Sequence, residues 1–127
     1  MGTENFDVVV VGCGISGISA AYHLSKFCPA KSFVVLERRQ NLGGTWDLFT
    51  YPGIRSDSDM FTFGFGWRNW TNKSIISPKN EILEYLNAAV DENNLRPHFR
   101  FNQNVLSASF SSDSQRWTIK TEKGQTT

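Results

Sequence analysis

A run of four valines followed by three spaced glycines constrains the fold of this chain more than any other feature. Val8–Val11 is β-branched and apolar throughout, which is typical of a strand buried in a parallel sheet. Residues 14–27 then carry apolar side chains at helical spacing, and residues 32–37 (SFVVLE) predict a second buried strand. A strand, a helix and a strand within this length predict a βαβ unit, which requires a parallel sheet.

The glycines between the first strand and the helix match the G-x-G-x-x-G turn that binds dinucleotide phosphates. Gly12 permits the tight turn, Gly14 lets backbone amides approach a pyrophosphate, and Gly17 lets the helix pack closely on the strand. The N-terminus of that helix offers free N–H groups and partial positive charge to phosphates. Glu37 ends the second strand, 20 residues after Gly17, where an acidic side chain binds an adenosine ribose. This complete context favours a dinucleotide site over a glycine-rich turn without a ligand.

The acidic residue also bears on which dinucleotide is bound. Glu37 disfavours a ribose 2′-phosphate, so NADP is not expected at this site, while NAD and FAD both remain possible. Arg38 and Arg39 are interpreted as solvated side chains, with one arginine stem lying on the adenine.

A second glycine pair, Gly43-Gly44, precedes Thr45 and Trp46. A longer dinucleotide with a wide ring needs a further backbone segment close to it, so this pair favours FAD. The alternative is a simple turn, since Gly-Gly pairs mark turns generally.

Four segments, ERRQNLGGTW, YPGIRSDSD, RFNQNVLSASF and RWTIKT, resemble the N-terminal part of flavin-dependent monooxygenases of the Baeyer–Villiger and flavin-containing types. The resemblance runs from about Asp7 to the end of the chain. It implies an FAD-binding Rossmann-like domain, in an enzyme that uses NADPH and O₂ to form a peroxyflavin and oxygenate a small organic substrate. The oxygenation would be of nitrogen or sulfur, or of the Baeyer–Villiger type. The implied cofactor-binding residues are Gly12, Gly14, Ser16 and Gly17 at the pyrophosphate, Glu37 at the ribose, Gly44, Thr45, Trp46 and Asp57 near the flavin, and Val105 at the adenine.

Asp57 is the one candidate catalytic residue that the resemblance implies. A carboxylate near a reduced flavin would help to orient a cationic partner. The alternative is a turn residue, with Arg55 as a salt-bridge partner. Asp59 is interpreted as a helix cap.

The rest of the chain predicts a second helix and an antiparallel hairpin. Ser77 is the expected N-cap of the helix, with Pro78 in its first turn, and Asn93-Asn94 is its expected end. Residues 105–111 and 116–122 alternate as two hairpin strands. Residues 38–77 carry no clear period overall. Within them, five aromatic rings alternate like a strand and are expected to pack in the core: Phe61, Phe63, Phe65, Trp67 and Trp70.

Several features expected of the family do not occur in the sequence. A second G-x-G-x-x-G for NADPH, the motif F-x-G-x-x-x-H-x-x-x-W and a strand returning to the parallel sheet are all missing. We therefore expect residues 1–127 to form one truncated α/β domain, incomplete at its C-terminus, with the NADPH site outside this segment. The alternative is a non-catalytic dinucleotide-binding module or an inactive fragment.

Composition excludes several other classes of protein. The chain is 39% apolar and 20% charged with a net charge of +1, so no overall field favours nucleic acid or an acidic membrane. No apolar run approaches the roughly 20 residues that span a bilayer. Cys13 and Cys28 lack metal-ligand spacing, so no metal site is expected. No lysine or arginine precedes Lys26, which argues against a secretory signal and favours a cytoplasmic location.

Overall fold

The predicted βαβ unit is present in the computed structural model, which describes residues 3–72 and 74–126. Strand β1 (Val8–Val11) pairs in parallel with β2 (Phe33–Leu36), and β2 pairs in parallel with β3 (Phe99–Arg100). Helix α1 (Ile15–Phe27) connects β1 to β2. The sheet order is β1-β2-β3, so β1 lies at one edge of this sheet within the described residues.

Two long helices cover one face of the parallel sheet. The buried residues of α1 are Ile18, Ala21 and Tyr22, which pack in one core with the apolar face of α4 (Lys79–Glu92). Helix α4 ends at the predicted position, because Asn94 adopts a left-handed conformation with φ 53°.

The predicted N-cap of α4 is wrong by one residue. Pro78 is the N-cap, and no side chain caps the helix. Ser77 is held in extended backbone instead, because its carbonyl accepts the N–H of Ser56 at 3.1 Å and Pro78 forms a bridge with Arg55. The Ser77 hydroxyl is buried and has no hydrogen-bond partner among the described residues.

The segment between β2 and α4 contains two single-turn helices, α2 (Thr45–Leu48) and α3 (Met60–Phe63). The start of the aromatic run is therefore helical, although its spacing alternates like a strand. The Asp59 side chain accepts the N–H of Thr62 at 3.0 Å and starts a helical turn there, which confirms Asp59 as a cap. Core packing is confirmed for most of the aromatic run, but Phe61 is 63% exposed.

The predicted hairpin is confirmed and gains a third strand. Strand β4 (Val105–Ser111) pairs in antiparallel fashion with β5 (Arg116–Thr121), which also pairs with β6 (Gly124–Thr126). Ile119 on β5 packs against Val34 and Leu36, so this second sheet covers the other face of β2. The architecture confirms the expected α/β class with a parallel core and an antiparallel hairpin. In the part of the chain that the structure describes, no helix has the length and apolarity needed to cross a bilayer.

Candidate functional site

The turn between β1 and α1 is held by backbone contacts, one of which requires glycine. The N–H of Gly12 donates to the carbonyl of Leu36 at 2.8 Å and ties the turn to β2. A Cβ atom placed on Gly17 would lie 2.0 Å from the carbonyl oxygen of Gly12. The helix therefore starts in direct contact with the turn, as the glycine spacing predicts.

The second glycine pair lies directly against the first glycine segment. The N–H of Gly43 donates to the carbonyl of Cys13 at 2.9 Å. Gly44 has φ 55°, and a Cβ atom placed on it would lie 2.9 Å from the Cα of Gly14. No side chain separates the two backbone segments, so together they form a surface of bare main chain at the carboxyl end of β1.

Glu37 is fixed at this surface by backbone donors. Its side chain is buried, with Oε2 accepting the N–H of Cys13 at 2.8 Å and Oε1 accepting the N–H of Arg39 at 3.0 Å. Burial, together with the negative charge of Glu37, raises the pKa of the Cys13 thiol to about 12. Cys13 is therefore a neutral packing residue at ordinary pH, whereas the carboxylate presents an oriented acceptor.

A cavity of about 430 Å³ opens over the two glycine segments. Its walls bring together six of the residues expected to bind the cofactor, which are Gly12, Gly14, Glu37, Gly44, Thr45 and Val105. Gln103 and Asn104 also line it, and the resemblance of the segment RFNQNVLSASF assigned no role to either residue. Gly17 and Ser16 do not line it, because Gly17 packs behind the turn and Ser16 lies on the exposed side of the first turn of α1.

A second cavity of about 440 Å³ adjoins the first through Thr45, which lines both. The structure places Trp46 and Asp57 there, together with Arg55 and several aromatic rings. Asp57 is exposed, and among the described residues no hydrogen bond or ion pair joins it to Arg55. The salt bridge that the alternative interpretation of Asp57 offered does not form among the described residues. Asp59 does not line this cavity, and the bonds from Thr62 hold the pKa of its carboxyl below the usual range.

Arg39 is not the solvated side chain that the sequence predicts. Its Nε donates to Oδ2 of Asp47 on α2 at 2.9 Å, and the Arg39 side chain is half-buried. Eight residues separate the pair in sequence, and no motif marks it. The pair forms because α2 packs beside the loop that follows β2.

A slightly larger cavity, of about 490 Å³, lies between the start of β1 and the hairpin. It is lined by side chains such as Phe6, Val9 and Trp117 and has no glycine among its lining residues. None of its lining residues belongs to a helix N-terminus, where phosphates bind most readily, so the glycine-lined cavity is the stronger candidate site.

Comparison with known proteins supports this assignment. Residues 10–77 match the family described as NAD(P)-binding Rossmann-like domain. The chain is 58% identical over 120 residues to the FAD-containing monooxygenase EthA of Mycolicibacterium smegmatis, an alignment covering 94% of this chain and 24% of that protein. A closed crystal structure of cyclohexanone monooxygenase matches with a TM-score of 0.91 and 33% identity, over 98% of this chain and 24% of that chain. An oxidized steroid monooxygenase bound to NADP matches with a TM-score of 0.89 and 30% identity, over 96% and 24%.

These similarities confirm the expected resemblance to flavin-dependent monooxygenases, and the chain spans about a quarter of the length of these relatives. The family match begins inside β1 and runs across both glycine segments to Ser77, which is more than half of the chain. The chain therefore belongs to the NAD(P)-binding Rossmann-like domain family.

Proposed function

We propose that this chain is the FAD-binding part of an NADPH- and O₂-dependent flavin monooxygenase that oxygenates a small organic substrate. The observation that carries the proposal is the pair of adjoining cavities that meet at Thr45. The first has the bare main chain and the fixed carboxylate that suit an adenosine diphosphate. The second has the aromatic walls that suit a flat ring system.

The first cavity fits the adenosine diphosphate half residue by residue. The free amides of α1, a helix of 13 residues, begin beside Gly14 and favour phosphate. The Glu37 carboxylate, already oriented by two N–H donors, can accept from ribose hydroxyls. Val105, at the start of β4, closes the far wall, where the adenine would lie.

The second cavity fits the flavin half. Trp46 packs edge-to-face on Phe63 with ring centroids 5.9 Å apart, so the wall beside Thr45 is rigid and apolar. The bound flavin would supply the redox chemistry that activates O₂. Asp57 would place a negative charge beside it, since its carboxylate has no partner among the described residues and faces the same cavity.

The first experiment measures which flavin the 127-residue chain binds. We expect FAD to bind at least about tenfold more tightly than FMN, because FMN lacks the adenosine half that the first cavity recognises. Titration followed by flavin fluorescence gives both dissociation constants. ADP should displace FAD, since it occupies the first cavity alone. Equal affinities for FAD and FMN would refute the proposal.

The second experiment tests Asp57 through the flavin itself. We expect Asp57→Ala to retain FAD but to raise the reduction potential of the bound flavin, since it removes a negative charge that opposes electron uptake. Asp57→Glu, which keeps the charge, is the matched control. A redox titration of chain-bound FAD measures the shift. An unchanged potential in Asp57→Ala would return Asp57 to a role as a turn residue.

Several finer points stay predictions. The N/S-oxygenation and Baeyer–Villiger alternatives require activity measurements with amines, sulfides and ketones on a chain that also contains an NADPH site. A cytoplasmic location likewise stays a prediction.

A further inference from the structure

Gln103 is a polar residue of the first cavity to which neither the glycine motif nor the family resemblance gives a role. Its backbone N–H donates to the carbonyl of Glu37 at 2.9 Å. The N–H of the preceding residue, Asn102, donates to the carbonyl of Arg39 at 3.0 Å. Val105, which forms the wall where the adenine would lie, follows two residues later. The main chain of Gln103 is therefore fixed between the residue that suits the ribose and the wall that suits the adenine.

The side chain of Gln103 is oriented by the hairpin. Its Oε1 accepts a hydrogen bond from the hydroxyl of Thr121, the last residue of β5, at 3.3 Å. Its Nε2, which carries two N–H donors, makes no hydrogen bond within residues 3–72 and 74–126. The amide oxygen thus has a partner in the protein, while the amide nitrogen remains for a ligand. Because the residue is half-buried, a ligand that covers it also removes water from these donors.

We infer that Gln103 is a further cofactor-binding residue, which donates a hydrogen bond from Nε2 to a ring nitrogen of the adenine, and that Thr121 positions it. The inference rests on the proposed FAD-binding function. The unsubstituted ring nitrogens of adenine are acceptors without a hydrogen, so they need a donor. The Glu37 carboxylate offers only acceptors and suits the ribose hydroxyls instead. Covering Gln103 without an acceptor would cost affinity, because the lost water contacts would not be replaced.

Three other residues that line the cavity carry side-chain N–H donors, and each is less suited to this role. Arg38 is exposed and makes no ion pair among the described residues, so its long side chain has to be ordered when a ligand binds. Arg39 is ion-paired through Nε with α2. Asn104 already donates from Nδ2 to Oε1 of Glu122 at 3.0 Å. Gln103 is held through both its main chain and its side chain, so little entropy is lost when it binds.

The first test compares the wild-type 127-residue chain with Gln103→Met, which keeps the length of the side chain and removes its donors. Titration followed by flavin fluorescence gives the dissociation constants for FAD and FMN, and isothermal titration calorimetry gives the constant for ADP. We expect Gln103→Met to weaken the binding of FAD and of ADP by about three- to tenfold, the effect of losing one neutral hydrogen bond. FMN lacks the adenosine half, so its affinity should stay the same within about twofold.

Analogues of ADP identify the acceptor. In 1-deaza-, 3-deaza- and 7-deaza-ADP, one ring nitrogen of the adenine is replaced by a CH group. We expect one of the three to bind the wild-type chain more weakly than ADP does and to lose no further affinity in Gln103→Met, because the residue and the missing nitrogen form one hydrogen bond. A loss of the same size for all three analogues would place the acceptor outside the adenine ring and overturn the inference.

The second test concerns the positioning role of Thr121. Thr121→Val removes the hydroxyl that holds Oε1 and favours a strand. We expect it to weaken FAD binding by about two- to fivefold, because the amide must then be ordered on binding, and to leave FMN binding unchanged. In a chain that already carries Gln103→Met, Thr121→Val should have no further effect on FAD binding. The matched control is Thr118→Val on the same strand, since Thr118 does not line the cavity. It should leave every dissociation constant unchanged.

The outcomes separate the inference from the proposed function. Unchanged FAD and ADP affinities in Gln103→Met would overturn the inference and leave the proposed function intact. An equal loss of FMN binding would also overturn it, because the variant would then act on the whole domain and not on the adenosine site. Additive effects of Gln103→Met and Thr121→Val would overturn the positioning role. Failure of the wild-type chain to bind FAD or ADP would overturn the proposed function, and the inference with it.

Discussion

Replacing Gly17 with alanine sets two physical effects against each other. Gly17 lies in the first turn of α1, and alanine is favoured over glycine in a helix by about 1 kcal/mol. On propensity alone, the substitution would stabilise the protein. The structure predicts the opposite, because the new Cβ would lie 2.0 Å from the carbonyl oxygen of Gly12.

The size of the steric cost follows from what must move. The Cβ and the oxygen have to separate by about 1 Å to reach the shortest contact found in proteins, 3.0 Å. Both sides are pinned, since Gly12 bonds to Leu36 at 2.8 Å and Ile18 bonds to Gly14 at 3.0 Å. Overpacking a well-packed region costs about 1–3 kcal/mol, and pinned backbone places this case at the upper limit. After the propensity gain, the free energy of unfolding should fall by about 2 kcal/mol.

Thermal unfolding followed by far-ultraviolet circular dichroism measures this effect. A loss of about 2 kcal/mol lowers the Tm of a domain this size by roughly 5–10 °C. Gly14→Ala is the control, because its Cβ would meet only the Cα of Gly44, at an ordinary 3.6 Å. We expect Gly14→Ala to keep the wild-type Tm within a few degrees but to weaken FAD binding, since its methyl group projects into the phosphate surface. A Gly17→Ala chain that melts at or above the wild-type temperature would refute the steric argument.

Two further predictions follow from the residues around Glu37. A thiol reagent at pH 8 should modify one cysteine per folded chain, the exposed Cys28, and two cysteines after denaturation. The reason is that burial raises the pKa of the Cys13 thiol to about 12. Two fast-reacting thiols in the folded chain would contradict the packing described. Glu37→Gln should lower the free energy of unfolding by about 1–3 kcal/mol, because the glutamine side chain has one acceptor oxygen for the two N–H donors of Cys13 and Arg39. An unchanged midpoint of denaturant unfolding would contradict this expectation.

Local signals account for the parts of the fold that the sequence predicts well. The valine run, the glycine turn and the apolar spacing of α1 lie within 20 consecutive residues, and each favours the same structure. The hairpin is predictable for the same reason, since β4 and β5 are adjacent in sequence and joined by a short turn. The third strand, β6, is only three residues long, which is too short for an alternating pattern to mark it.

The aromatic run shows where a periodic pattern misleads. Alternation of rings from Phe61 onward suggests a strand, but the stronger local signal is Asp59, whose carboxylate bonds to both the N–H and the hydroxyl of Thr62. That cap fixes a helical turn, after which Phe63 packs on Trp46 while Phe61 faces solvent. The helical turn, and not the alternating spacing, therefore decides which of these rings reach the core.

The candidate site also has a part that local sequence predicts and a part that depends on packing. Its main-chain surface and Glu37 are predictable because one short motif specifies them. The Arg39–Asp47 pair is not predictable, because it depends on how α2 packs beside the loop after β2. Resemblance places Asp57 near the flavin, and the structure puts it in the cavity adjoining the first.

The glycine pair illustrates how one motif can combine two physical requirements. A Cβ atom on Gly43 would meet the end of the Leu83 side chain at 2.6 Å, which is a packing contact with α4. A Cβ atom on Gly44 would meet the backbone of Gly14 at 2.9 Å, which no side-chain rearrangement can relieve. Gly43 therefore serves the helix–loop packing, and Gly44 allows the close approach of the two glycine segments. Both positions also have positive φ, so the turn between β2 and α2 needs glycine twice for its backbone alone. The two glycines thus satisfy three requirements, which are the packing on α4, the approach to Gly14 and the positive φ angles. The pair therefore specifies the position of α2, and through it the contact between Asp47 and Arg39.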